Sequence, residues 1–296
     1  MQKLTIYVVI LTLLLSIVPF STTIGEEINE FKLIVLSADF SDAPHLTDFG
    51  DIKDELFSSE QQSLHQFFNL GSSGKVAVTS GSYKGLPWQR MPKPITHYAK
   101  DTEWGFDVNC HEMIGELIKK ALSGGLDYNE YSESWGGRQP CVCIVVSGEG
   151  ENYKNYPKDD GFWPHASSIR VTHDGKEIRF RYILVVEGKS FDRGPSLVMA
   201  HEFGHLMGLS DLYDYHCGGP YKGQCGYPFT YFDIMVARHG GLGLNGFHRE
   251  KLGFMKGIDI WDSGEFELKP IITNESQSYL KLHIPGTAEY FGLEYR

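Results

Sequence analysis

Apolar positions along the chain follow two rhythms, and the switches between them predict the elements. "FKLIVLSADF" (31–40) and "CVCIVV" (141–146) are nearly continuous apolar runs, the pattern of strands covered on both faces. "KVAVTSGSY" (75–83) alternates with the period of a strand. "SSEQQSLHQFFNL" (58–70) reads as a helix stopped by "GSSG", with glycine where a helix end favours it. In "NCHEMIGELIKKAL" (109–122) Met113, Leu117, Ile118 and Leu122 recur at helical spacing until Gly124 and Gly125 end the run. "SIRVTHDGKEIRFRYILVVEG" (168–188) reads as a hairpin turning at Asp174-Gly175. A further helix begins after "RGPS" (193–196), whereas the proline-rich stretch from Leu86 to Ile95 reads as loop. From "DSGEFELKP" (262–270) onward the pattern is short strands and turns. Strands and helices interleave first and strands dominate later, which predicts an α+β fold.

The first residues change the picture of where the chain resides. Lys3 precedes an apolar run from Leu4 to Phe20, followed by the small and polar "STTIG" and the acidic "EEINE". That is the layout of a secretory signal peptide, with a cut expected after Gly25. An uncleaved anchor is the alternative, since 17 residues can just span a bilayer. Export permits disulfides. There are five cysteines, so at least one lacks a partner within the chain. Cys217 and Cys225 bracket the glycine-rich "GGPYKGQ", and a bridge there would stabilise by roughly 2–3 kcal/mol. Cys141 and Cys143 point to one face of their strand and cannot pair with each other. A bridge from one of them to Cys110 and buried free thiols are the two alternatives.

With 296 residues, 41% of them hydrophobic, the chain can bury the core of one large domain, with or without an appendage. The net charge of -11 argues against a nucleic-acid partner, which calls for a basic patch. The same balance leaves room for calcium as a structural ion, but no oxygen-ligand loop of recognisable spacing assigns it.

The chemistry concentrates in "HEFGHLMGLSD" (201–211). On a helix, His201 and His205 lie on one face and can present imidazole nitrogens to one ion. Glu202 sits beside them, placed for the fourth coordination position rather than the metal. Gly208 permits the chain to turn, and Asp211, six residues after His205, can return a carboxylate as third ligand. "HEMIG" at 111–115 lacks the second histidine and reads as a packing helix.

These residues carry a resemblance. "HEFGHLMGLSDLYD" is similar to the zinc motif of the immune inhibitor A family (M6) of secreted bacterial metallopeptidases. "LIVLSADFSD", "SLHQFFNLGSSGKVAV", "FWPHASS" and "YFDIMVARHGGLGLNGFHREKLGF" resemble other stretches of that family, so the likeness covers about Phe31 to Arg296. It implies a zincin-like, metzincin-like catalytic domain with a mixed twisted sheet and an active-site helix. It implies zinc held by His201, His205 and Asp211, with Glu202 as catalytic base and Met235 as the methionine beneath the metal. Asp214 is a competing carboxylate, assigned to bracing the loop. Tyr213, Tyr231, Arg238 and His239 are candidates for stabilising an oxyanion, because the tyrosine position of some metzincins is Ala237 here. His165 in "WPH" reads as a structural histidine rather than a further ligand. "YILVVEG" (182–188) belongs to the region where such folds align a substrate along an edge strand.

The expected organisation is a signal peptide over 1–25, a catalytic domain over 26–258 and a β-rich segment over 259–296. Relatives carry a propeptide, for which the distance from the cut to Phe31 leaves no room, and the β-rich segment reads as truncated at Arg296. The expected function is a secreted zinc endopeptidase acting on protein or peptide substrates, touching the membrane only through an uncleaved signal sequence. The alternative is a non-enzymatic zinc-binding surface or adhesion protein that keeps the fold; a zinc hydrolase of other amides or esters is a third. "NES" at Asn274 is a glycosylation sequon.

Overall fold

From Asn29 to Asp39 the chain forms β1, the strand around which the rest assembles. Leu33, Ile34, Leu36 and Ala38 in it are wholly buried, because neighbouring strands and helices cover both faces. The structure is a computed structural model describing residues 29–59, 62–100, 107–150, 161–189, 194–212, 233–236, 243–273 and 276–296. Residues 1–28, where a signal peptide is expected, and Cys217, Cys225 and Asn274 lie outside these residues.

Strand β1 pairs in parallel with β2 (Val76–Thr79), β3 (Leu86–Arg90) and β4 (Cys141–Val146). β4 in turn pairs in parallel with β6 (Lys176–Val186), and β5 (His165–His173) runs antiparallel along β6. The order is β2-β1-β4-β6-β5, with β3 beside the C-terminal half of β1. This is a mixed sheet in an α+β molecule. The β5–β6 turn places Asp174 at φ 49° and Gly175 at φ 74°, the left-handed pair of a two-residue hairpin.

Alternation along the strands sorts side chains into two cores. Ile34, Leu36, Val142, Ile144, Tyr182 and Leu184 face one layer, covered by α3 (Ile95–Tyr98) and α4 (Cys110–Ser123). Leu33, Val35, Val145, Ile183 and Val185 face the other. That second layer is covered by α1 (Phe49–Phe57), α2 (Leu64–Gly71) and α6 (Pro195–Leu206). Helix α5 (Tyr128–Ser134) packs beside β1, with Tyr131 in the first layer and Trp135 just past its end in the second.

The layering decides between the cysteine alternatives. Cys110 belongs to the first core and Cys141 and Cys143 to the second, so the sheet stands between them. All three are buried free thiols. Burial pushes Cys110 and Cys141 up to about 12 and Cys143 higher still, which keeps them protonated.

Other expectations need correction. The stretch 86–95 is not all loop: β3 occupies its first half and α3 starts at its end. The helix expected from Ser58 begins only at Leu64, where the Ser63 side chain accepts from the Gln66 N–H at 3.0 Å. Helix α6 starts at Pro195, inside the "RGPS" segment rather than after it. Proline fits there because the first helical residue has no partner for an N–H.

Downstream, α7 (Gly246–Lys251) is capped by Asn245. β7 (Ile258–Ile260), β8 (Tyr279–His283) and β9 (Tyr290–Glu294) form a small separate sheet in that order. Buried Arg249 links it to the body, donating to the carbonyls of Leu244 at 2.9 Å, Gly71 at 3.0 Å and Ile271 at 3.2 Å.

Candidate metal centre

Helix α6 lies in the second core layer with Val198, Met199, Ala200 and Phe203 buried, so its orientation is fixed by packing. Its C-terminal end is held as well. Arg181 of β6 donates from Nη1 to the Leu206 carbonyl at 2.8 Å, and its guanidinium lies over the Trp135 ring. A cation there satisfies an orphan carbonyl and complements the negative helix end.

On the exposed side of this packing, the two motif histidines are locked by their inner nitrogens. His201 Nδ1 bonds the Ile234 carbonyl at 2.8 Å, and His205 Nδ1 bonds the Leu209 carbonyl at 3.0 Å. A carbonyl only accepts, so each Nδ1 carries a proton, and in the neutral ring each Nε2 presents a lone pair. The helix then unwinds: Gly208 at φ 94° reverses the chain, and Leu209 N–H bonds the Gly204 carbonyl at 2.9 Å. The reversal brings Asp211 back, with Oδ1 3.2 Å from His201 Nε2 and 3.5 Å from His205 Nε2.

Those distances fit a bound ion. Ligands at zinc bond lengths of about 2.0–2.1 Å on a tetrahedron stand about 3.3 Å apart. Among the described residues, His201, His205 and Asp211 are the group of ligand atoms close enough to share a metal. The electrostatics agree. Burial disfavours a charged His205, yet the Asp211 hydrogen bond and the Glu202 charge overcome it and raise its pKa to about 9. The pocket therefore favours positive charge between its three donors. Glu202 is buried on the same helix, one residue from His201.

Met235 lies beneath the helix. A Cβ on Gly204 would come within 2.7 Å of its Sδ, so glycine at this point is what lets the methionine and the helix meet. The segment Asp233–Val236 is itself tied down. Leu212 N–H bonds the Met235 carbonyl at 2.8 Å, and buried Asp233 accepts from Met235 N–H and Asn245 N–H, each at 2.8 Å. His248 of α7 completes the group, Nδ1 standing 3.0 Å from both Asp233 oxygens.

Other candidates fall elsewhere. His165 bonds the Trp163 carbonyl through Nδ1 at 2.8 Å and the Tyr182 hydroxyl through Nε2 at 3.0 Å. His111 of "HEMIG" bonds that hydroxyl at 2.8 Å. Tyr182 belongs to the core on the face of the sheet away from α6, so both histidines serve packing. "YILVVEG" lies mostly in β6, which is paired on both sides; among the described residues β5 is the edge strand on that side. Tyr213, Asp214, Tyr231, Ala237, Arg238 and His239 lie outside the described residues. Sequence reasoning passed over Arg181, Asp233 and His248. The last two stand in the quoted stretch around Met235, but nothing local marks them as a pair.

With this geometry in view, the similarities of the chain can be weighed. No protein-family model matches it. An alignment of 196 positions covering 54% of the chain shows 24% identity to Immune inhibitor A of Bacillus thuringiensis subsp. alesti. The matched part is 27% of that protein, so the similarity is distant and partial and spans about a quarter of the relative.

Proposed function

We propose that this protein is a secreted zinc endopeptidase. The observation that carries the reading is the convergence of His201 Nε2, His205 Nε2 and Asp211 Oδ1 beside Glu202. The distant similarity to Immune inhibitor A supports it, as does an antiparallel strand, β5, at the edge of the sheet among the described residues, where a peptide could pair. Secretion is inferred from residues 1–25, with the catalytic domain over 26–258 and a β-rich segment over 259–296.

His201, His205 and Asp211 would hold the ion. Bound zinc supplies Lewis acidity for the scissile carbonyl and brings the pKa of water toward neutrality. Glu202 accepts a proton from the attacking water and delivers it to the leaving amide nitrogen. Both imidazoles keep their Nδ1 protons on backbone carbonyls throughout, which fixes the tautomer that binds metal. The substrate is an extended segment of an unfolded or flexible protein.

The test is zinc content and casein cleavage by the protein from Glu26 onward, beside Glu202→Ala. We expect bound zinc in both, with cleavage lost by about 100-fold or more in the variant. Folded, zinc-loaded protein that leaves casein and other unfolded proteins intact overturns the peptidase reading and points to a binding role.

A further inference from the structure

We propose that Asp233 and His248 form a positioning pair that sets the geometry of the metal centre from outside it. The inference rests on the metal-centre reading above. One peptide group links the pair to His201. Ile234 C=O and Met235 N–H belong to the same rigid plane. Asp233 Oδ1 holds the N–H at 2.8 Å, while the carbonyl accepts from His201 Nδ1 at 2.8 Å. Orienting that plane therefore orients the His201 ring. The next carbonyl, that of Met235, accepts from Leu212 N–H, the residue following Asp211. One short segment thus supports two of the three ligands.

Asp233 can hold the plane only if its own carboxylate is fixed. Its oxygens take Met235 N–H, Asn245 N–H and the His248 ring, and both side chains of the pair are wholly buried. Among the described residues, the hydrogen-bond partner of the His248 ring is the Asp233 carboxylate. His248 is in turn placed by its own N–H, which bonds the Asn245 side chain at 2.8 Å at the start of α7. The relay runs from α7 through Asp233 to the peptide plane and into His201.

The test reads metal binding separately from catalysis. Zinc affinity is measured by chelator competition, the visible spectrum is recorded with cobalt in place of zinc, and folding is followed by circular dichroism. His248→Phe keeps the ring volume and removes the donor. Asp233→Asn weakens the carboxylate as a three-way acceptor and stands in if His248→Phe does not fold. His248→Asn restores an amide N–H near the Nδ1 position. Val142→Ala, in the opposite core layer, controls for lowered stability alone.

We expect the Phe and Asp233→Asn variants to bind zinc about 10- to 100-fold more weakly, with a shifted cobalt spectrum. His248→Asn should recover most of the affinity, and Val142→Ala should keep it. Wild-type affinity and spectrum in folded His248→Phe, or in folded Asp233→Asn, overturn the proposal. So does a folded His248→Asn protein as weak as the Phe variant. Failure of the wild type to take up zinc overturns the metal centre and the pair together. Zinc-loaded wild type that does not cut casein counts against the peptidase reading alone.

Discussion

Gly204 shows how much the centre depends on single atoms. It stands between the two histidines of the motif, and a methyl group there would collide with Met235 Sδ. Gly204→Ala should lower stability by about 1–3 kcal/mol, the usual cost of overpacking, and loosen zinc as well. Denaturant titration and chelator competition would show both. Asp39 makes a different case, at the C-terminal end of β1. Burial would raise its pKa, but Arg90, bonded at 2.9 and 2.7 Å, and His45, at 2.8 Å, more than reverse this and leave it lowered. A lowered pKa contributes stability above the unfolded value near 3.8 and loses it as pH falls through the folded value. Asp39→Asn should therefore melt below the wild type near neutral pH, and the gap should close on acidification. A gap constant down to pH 2 would contradict that role.

At the scale of residues, the convergence of His201, His205 and Asp211 was legible because helix geometry and a local glycine turn fix their spacing within eleven positions. Asp233 and His248 were not, since their partnership depends on two segments folding together.

Among the elements, α6 is braced at both ends: Pro195 starts it, and Arg181 closes it from the adjoining strand. Arg181→Met keeps the stem but strips the donor from the Leu206 carbonyl. We expect a loss of about 1–3 kcal/mol, read from the thermal midpoint at constant pH. Elements with strong local periodicity, such as β1, β4, α4 and the β5–β6 hairpin, were visible in the sequence. Those with weak local signals were not. β3 contains Pro87 and no apolar alternation, and becomes a strand because β1 offers an open ladder. α1 carries Phe49, Ile52, Leu56 and Phe57 at helical spacing and packs them all into the second core, but the stripe is only nine residues long and was passed over in the sequence.

For the whole molecule, Arg249 is one of the links between the body and the C-terminal segment, beside Gly246 N–H on Glu294 of β9 and Lys281 of β8 on Glu250 of α7. Removing its guanidinium strands the Gly71, Leu244 and Ile271 carbonyls in a dry interface. Arg249→Leu should cost on the order of 3 kcal/mol. It should also expose the C-terminal sheet to proteolysis before the body unfolds. Metal removal acts on the same scale: a chelator in excess should lower the melting temperature of the zinc-loaded protein, since the ion binds the folded state alone. No change would mean that the centre holds no metal in solution. The two-layer arrangement followed from the strands' apolar runs, whereas the attachment of the small sheet through contacts of α7 and a buried arginine had no sequence signature.

The sheet order also sets a timetable. Leu33 of β1 lies beside Cys141, and Cys141 beside Arg181. A newly made β1 therefore waits through roughly a hundred residues of synthesis for its central neighbour, the kind of distant pairing that slows folding. Helix α6 docks on a face that exists only once β4 and β6 have joined. The site that would cut other proteins is thus assembled late, after the chain that carries it has put its own strands out of reach.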